Sequence, residues 1–342
     1  MSRNLVPLAV SASLLSTASW ADVPRVATDI APVHSLVAQV MAGVGTPALI
    51  IAPGATPHEY SLRPSEAAAL QDAELVFWIG PDLTPWMEDA IGTLAGAATV
   101  TSLLEVDGTT ELPFREGALF EAHVHGDDEH GHEDHDAHAK DDHDHDHDHD
   151  HDHGHETAEA GHDWHDHDGH DYGDHDPHAW LSPENGAVWL NAIAAKLSAA
   201  DPDNAGTYFA NAAAARADLD TLRAEINGIL DPVRGRNFIV FHDAYQYFET
   251  SFDIPASGAI SVSDATDPSP ARIAEIQDRV RDQGVSCVLS EPQFDPKIVA
   301  AVMEGSEART GVLDPIGSNL EPGPDLYPTV LRNLALTLAD CL

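Results

Sequence analysis

A chain of 342 residues with 16 Lys and Arg against 58 Asp and Glu carries a formal net charge of -42. Phosphate backbones and anionic lipid surfaces repel such a chain, which argues against nucleic-acid and membrane-surface partners. Beyond the N-terminus no segment reaches the ~20 apolar residues that span a bilayer, and the length suits two domains plus an insertion.

Met1-Ser2-Arg3-Asn4, an apolar run from Leu5 to Leu15 and the small-residue stretch ending Ser19-Trp20-Ala21 have the layout of a signal peptide over 1–21. No Cys lies near that junction to take an acyl anchor, so the mature chain is expected to float free.

After the leader, short apolar runs alternate with amphipathic ones. Val26 to Ile30, Ala48 to Ile51, Leu75 to Ile79 and Thr99 to Leu103 read as strands, with helices opening at Pro32, at Pro64 with Glu66, and at Pro85 with Glu88. Strand, helix, strand in repetition gives an α/β fold with a parallel sheet.

From Phe120 the apolar period vanishes. Residues 121–176 hold 22 acids against the single base Lys140, about half the net charge, in His-Asp repeats densest from His143 to His155. Such a segment cannot bury enough apolar surface to order itself, so it reads as a disordered insertion. Its alternating imidazoles and carboxylates supply many weak, flexible sites for borderline metals.

Regular patterning resumes at Pro177. Trp180-Leu181-Ser182-Pro183-Glu184 reads as a strand end and a Ser-capped, Pro-started helix to about Ala200. Asp203 to Leu230 then reads as a second helix of ~38 Å, long enough to join two domains. The βα pattern returns with strands Phe238 to Phe241, Val285 to Leu289 and Val312 to Leu313, and helices Ala244 to Thr250, Pro270 to Gln283, Pro296 to Met303 and Tyr327 to Cys341. A second small α/β domain follows from it.

Cys287 and Cys341 are the chain's two cysteines. In the oxidising compartment that the leader implies, a disulfide between them is expected, constraining the unfolded chain by ~4 kcal/mol.

Outside the insertion and its flanks the histidines are His34, His58, His178 and His242. His58 sits in the loop Pro53-Gly54-Ala55-Thr56-Pro57-His58-Glu59-Tyr60, His242 ends Phe238-Ile239-Val240-Phe241-His242-Asp243, and His178 follows Asp176-Pro177. Ligands of open parallel sheets bind at such strand ends. Three neutral imidazoles with one position open make a tetrahedral-capable site, and three His without Cys favour Zn2+ over copper(I). His34 has a similar place and reads as a site wall. Glu59 and Asp314 are the candidate fourth ligands, with water an equal competitor. The same donor set also suits a zinc-dependent hydrolase with Glu59 as base, although no His-Glu-x-x-His helix is present. A metal buffer whose business is the insertion is a third reading.

Several stretches carry a resemblance: His58-Glu59-Tyr60-Ser61-Leu62-Arg63-Pro64-Ser65, Asp176-Pro177-His178-Ala179-Trp180-Leu181-Ser182-Pro183, Phe241-His242-Asp243-Ala244-Tyr245, Ser290-Glu291-Pro292-Gln293-Phe294 and Leu313-Asp314-Pro315-Ile316-Gly317. Over nearly its full mature length the chain resembles the zinc-specific periplasmic binding proteins of bacterial high-affinity zinc-uptake ABC transporters, in the cluster A-I group. The resemblance implies a periplasmic, monomeric, non-enzymatic protein that captures Zn2+ and hands it to an ABC permease subunit. It implies His58, His178 and His242 as ligands in a cleft between two lobes, 22–202 and 231–342, joined by a rigid helix over 203–230. It also implies a Cys287–Cys341 disulfide, and the His-rich loop, similar too, is expected from its residues to collect further zinc weakly. Manganese and iron relatives use a carboxylate at the position of Asp314 and zinc relatives use water or the position of Glu59, so the fourth ligand stays open.

Overall fold

Chain segments whose strands are apolar on both faces demand a sheet covered from both sides, and Leu75–Trp78 and Phe238–His242 are buried throughout. The computed structural model describes residues 23–115, 120, 175–261 and 268–342. The expected leader 1–21 and most of the acidic insertion lie outside them.

Two four-stranded parallel sheets result. The first contains β1 (Val26–Thr28), β2 (Ala48–Leu49), β3 (Leu75–Trp78) and β4 (Thr99–Ser102) in the order β2-β1-β3-β4. The second contains β5 (Phe238–His242), β6 (Ala259–Ser261), β7 (Cys287–Ser290) and β8 (Arg309–Val312) in the order β6-β5-β7-β8. Each half thus winds first to one side of its opening strand and then to the other, which leaves a crevice at the carboxyl ends between the first and third strands.

Proline in the first turn starts most helices, because its missing N–H is an orphan there anyway. This holds for α1 (Ala31–Val40), α2 (Pro64–Asp72), α3 (Pro85–Leu94) and α4 (Pro183–Ala200). Ser182 caps α4 by accepting from the Asn185 N–H at 3.2 Å. α5 (Ala205–Leu230) buries a stripe of Tyr208, Ala212, Ala215, Leu219, Leu222, Ile226 and Leu230, spaced by three and four as an amphipathic helix requires. The second half adds α6 (Gln246–Phe252), α7 (Pro270–Asp282), α8 (Pro296–Val302) and α9 (Leu326–Cys341). α5 packs on α1, α4 and α9. A continuous apolar core runs through both halves, taking in Leu36, Trp180, Leu219, Phe248 and Leu338. Polar stitches reinforce it: Ser35 Oγ donates to Pro324 O and accepts from Tyr327 N, both at 3.0 Å, and Trp180 Nε1 donates to Pro315 O at 2.8 Å. No described helix is long and apolar enough to cross a membrane.

The sequence pattern and the structure part company in a few places. Ala179–Leu181 forms one turn of 3-10 helix, not a strand end. The three-residue β6 is too short to declare a period, α6 begins two residues after Ala244, and the last strand ends at Val312 where the pattern starts it. The range 121–176 also overruns the insertion at its far end. His175 pairs with Pro113 in an antiparallel bridge and Asp176 is buried, so both belong to the folded body. Cys287 and Cys341 are joined, tying β7 to the end of α9 with their Cα atoms 5.8 Å apart.

Gly186 in α4 faces the buried Tyr327, whose hydroxyl donates to Trp180 O at 2.8 Å. A Cβ at Gly186 would stand 2.6 Å from that hydroxyl. Helix propensity alone favours Gly186→Ala by about 1 kcal/mol, but overpacking costs about 1–3 kcal/mol. The variant is therefore expected to be destabilised, with a lower denaturation midpoint.

Candidate metal centre

The crevice of the second half lies between β5 and β7, and both strands deliver a functional side chain there. β5 ends on His242, and Glu291 follows β7 directly. Glu291 Oε1 lies 2.7 Å from His242 Nδ1 and accepts from the His242 backbone N–H at 3.3 Å. The same device recurs locally at His178. Asp176 Oδ1 lies 2.7 Å from His178 Nδ1 and accepts from the His178 N–H at 3.0 Å, the fold of an Asx turn onto the residue two positions on. Both histidines and both carboxylates are buried. When ionised, a carboxylate only accepts, so each bond then places the imidazole proton on Nδ1 and leaves Nε2 as a lone-pair donor.

His58 comes from the loop after β2 and is half-buried. That loop is pinned: Trp86 Nε1 donates to Pro57 O at 2.8 Å, and Tyr60 Oη donates to Glu66 Oε1 at 2.8 Å. The His58 ring centre lies 5.5 Å from that of His178, which lies 5.3 Å from that of His242. Two imidazoles on one tetrahedral zinc, at Zn–N distances of about 2.0–2.1 Å, have ring centres ~5 Å apart. Among the described residues no three His, Cys, Asp or Glu side chains already form a finished metal cage. Their spacing therefore leaves a contraction of a few tenths of an ångström to be made.

The three histidines line one cavity of about 20 Å³, room for a single ion or water, whose other walls include Trp180, Glu291, Phe294 and Ile316. Phe294 is stacked on Phe241 at 4.2 Å and lies 5.7 Å from the His242 ring, an apolar buttress on that side.

Burial pushes the Asp176 carboxyl up to about 7, against the pull of the His178 amide and the charge of Arg115. Burial also raises Asp243 and Glu249, and Arg115 opposes both shifts. Burial works against the charge on Arg115 itself, but its bonds to Glu249 and Asp243 outweigh that and hold its pKa above the ordinary value.

The two sequence-derived fourth-ligand candidates are placed elsewhere. Glu59 is exposed and does not line the cavity. Asp314 spends both oxygens on its own turn, accepting from Gly317 N and Ser318 Oγ at 3.0 Å and from Ser318 N at 2.6 Å. His34 is not a site wall: its Nε2 turns to Pro47 O at 3.2 Å, and burial lowers its pKa. Asp176 and Glu291 carry roles that the histidine pattern alone does not assign, although Glu291 occupies a strand end like His242.

The family model for the periplasmic zinc-uptake complex component A, ZnuA, matches residues 26–341. The high-affinity zinc uptake system protein ZnuA of Brucella abortus is 49% identical over 93% of this chain and 91% of its own length. That of Paracoccus denitrificans is 45% identical over 97% of both. Among solved structures, one of ZnuA superposes with TM-score 0.69 at 23% identity, covering 94% of this chain and 99% of that one. The periplasmic zinc-binding protein TroA of Treponema pallidum does so with TM-score 0.70 at 17%, covering 93% and 98%. At those identities the superpositions speak for the fold.

Removing an orienting carboxylate should be felt at the metal. Asp176→Ala and Glu291→Ala are each expected to weaken zinc binding by about 10- to 100-fold. Glu59→Gln should leave the affinity where it is. Competition with a chromophoric chelator measures all three.

Proposed function

Since the chain belongs to the ZnuA family of periplasmic zinc-uptake components, we propose that His58, His178 and His242 capture one Zn2+ in the cleft and that the loaded protein delivers it to an ABC permease subunit in the inner membrane. The observation that carries the reading is the pair of buried imidazole–carboxylate bonds, which aim two Nε2 lone pairs at one small cavity. Nitrogen donors without a directly coordinating carboxylate favour zinc over magnesium, calcium and manganese. Water takes the fourth position in this reading, since Glu59 is exposed and off the cavity and the oxygens of Asp314 accept from its own turn.

The zinc-hydrolase alternative has no support: the family is one of substrate-binding proteins, and Glu59, its required base, is exposed and off the cavity. The leader at 1–21, a monomeric mature chain and weak zinc collection by the His-rich insertion belong to the same proposal.

Two measurements test it. Deleting 121–171 spares His175 and Asp176, so titration calorimetry should still find one tight zinc, with further weaker ions only in the full chain. Tight binding lost with the deletion would overturn the three-histidine site. Protons compete with the metal for imidazole nitrogen, so zinc should also leave as the pH falls through about 6. Full occupancy by equilibrium dialysis at about pH 4.5 is the contrary outcome.

A further inference from the structure

The segment just after β4 and the segment just before His178 form a two-stranded clasp. Asp176 N donates to Leu112 O at 2.8 Å, and Pro113 pairs with His175. Tyr247 of α6 seals it from below, its hydroxyl accepting from Leu112 N at 2.9 Å and donating to Asp176 O at 2.8 Å. Two residues past Pro113, Arg115 reaches the other half. Its Nη1 and Nη2 donate to Glu249 at 2.8 and 3.0 Å, and its Nε donates to both oxygens of Asp243, at 2.9 and 3.1 Å. Nη2 also contacts Asp243 Oδ1, and the Phe120 ring covers the guanidinium at 3.5 Å.

We infer that Arg115 is a positioning residue for the metal site: it ties the clasp that carries the orienting carboxylate of His178 to the residue beside His242, so that the two histidines are held in one register. The inference rests on the ligand set proposed above. The connection is short at both ends. Asp176, in the clasp, fixes the His178 ring, and Asp243 is the backbone neighbour of His242. Both acids that receive the guanidinium are buried, and a planar fork of donors suits two carboxylates as the point charge of a lysine does not.

A purely structural role, neutralising two buried acids, predicts a different pattern of effects, and full-length variants separate the two. Arg115→Gln leaves buried carboxylates uncompensated, while Arg115→Gln combined with Glu249→Gln removes one of those charges without restoring the tie. Denaturation midpoint, zinc affinity by chelator competition and the visible absorption of the Co2+-substituted protein are measured on each. The double variant is expected to regain most of the midpoint yet bind zinc about 10-fold or more weakly, with an altered cobalt spectrum. Arg115→Lys, which keeps the charge and gives up the fork, should remain folded and also lose affinity. Wild-type affinity and cobalt spectrum in the double variant, or in Arg115→Lys, would overturn the inference. A His178→Ala chain that keeps wild-type zinc affinity would instead remove the ligand set itself, and the inference with it.

Discussion

An imidazole can serve a metal only through a nitrogen that carries no proton, and the placement of a carboxylate against the opposite nitrogen decides which one that is. That condition is met twice here, at Asp176–His178 and at Glu291–His242, by side chains that are all buried. Burying a carboxylate is costly unless its lone pairs are used. Each of the two therefore takes a backbone N–H of its histidine in addition to the ring, which fixes the ring by two bonds instead of one.

The two halves share one strand order and use their crevices differently. In the second half, Glu291 crosses from the end of β7 to His242 at the end of β5. In the first half the corresponding crevice is closed by Asp29, which accepts from Ile30 N and Ile79 N at 2.7 Å and whose carboxyl burial pushes up to about 7. With that position filled by a structural acid, the first half offers its histidine from the neighbouring loop after β2. Gly54, at φ +80°, makes the turn that this loop requires, in a conformation other residues rarely adopt.

Much of this was legible from residues alone where the signal is local. Proline in the first turn marked the helices, continuous apolar runs marked the strands, and histidines near strand ends marked the candidate site. The Glu291–His242 bond spans 49 positions, so only the pairing of β5 with β7 creates it. Asp176 is a different case. Its bond to His178 is local, but by composition it is one more acid in a run of acids, which is why the acidic pattern extends to it. Asp314 is the opposite case: its strand-end place suggests a ligand, and only the fold shows that its oxygens accept from the turn at Gly317 and Ser318.

The charge around the cavity bears on what it is built to receive. Asp176, Glu291, Asp243 and Glu249 are all buried; the first two contact the proposed ligands His178 and His242, and the other two share the Arg115 guanidinium. Imidazole binds a metal as a neutral donor and adds no charge to that balance. Burial disfavours the charged forms of Asp176, Asp243 and Glu249, so a cation entering beside them supplies the positive charge that favours their ionised forms. A dication held by Nε2 atoms supplies that charge through the rings themselves, strengthening the Nδ1 bonds to Asp176 and Glu291 as it binds. The acids that orient the ligands therefore also set the charge of the cargo, while the imidazoles set its chemical identity.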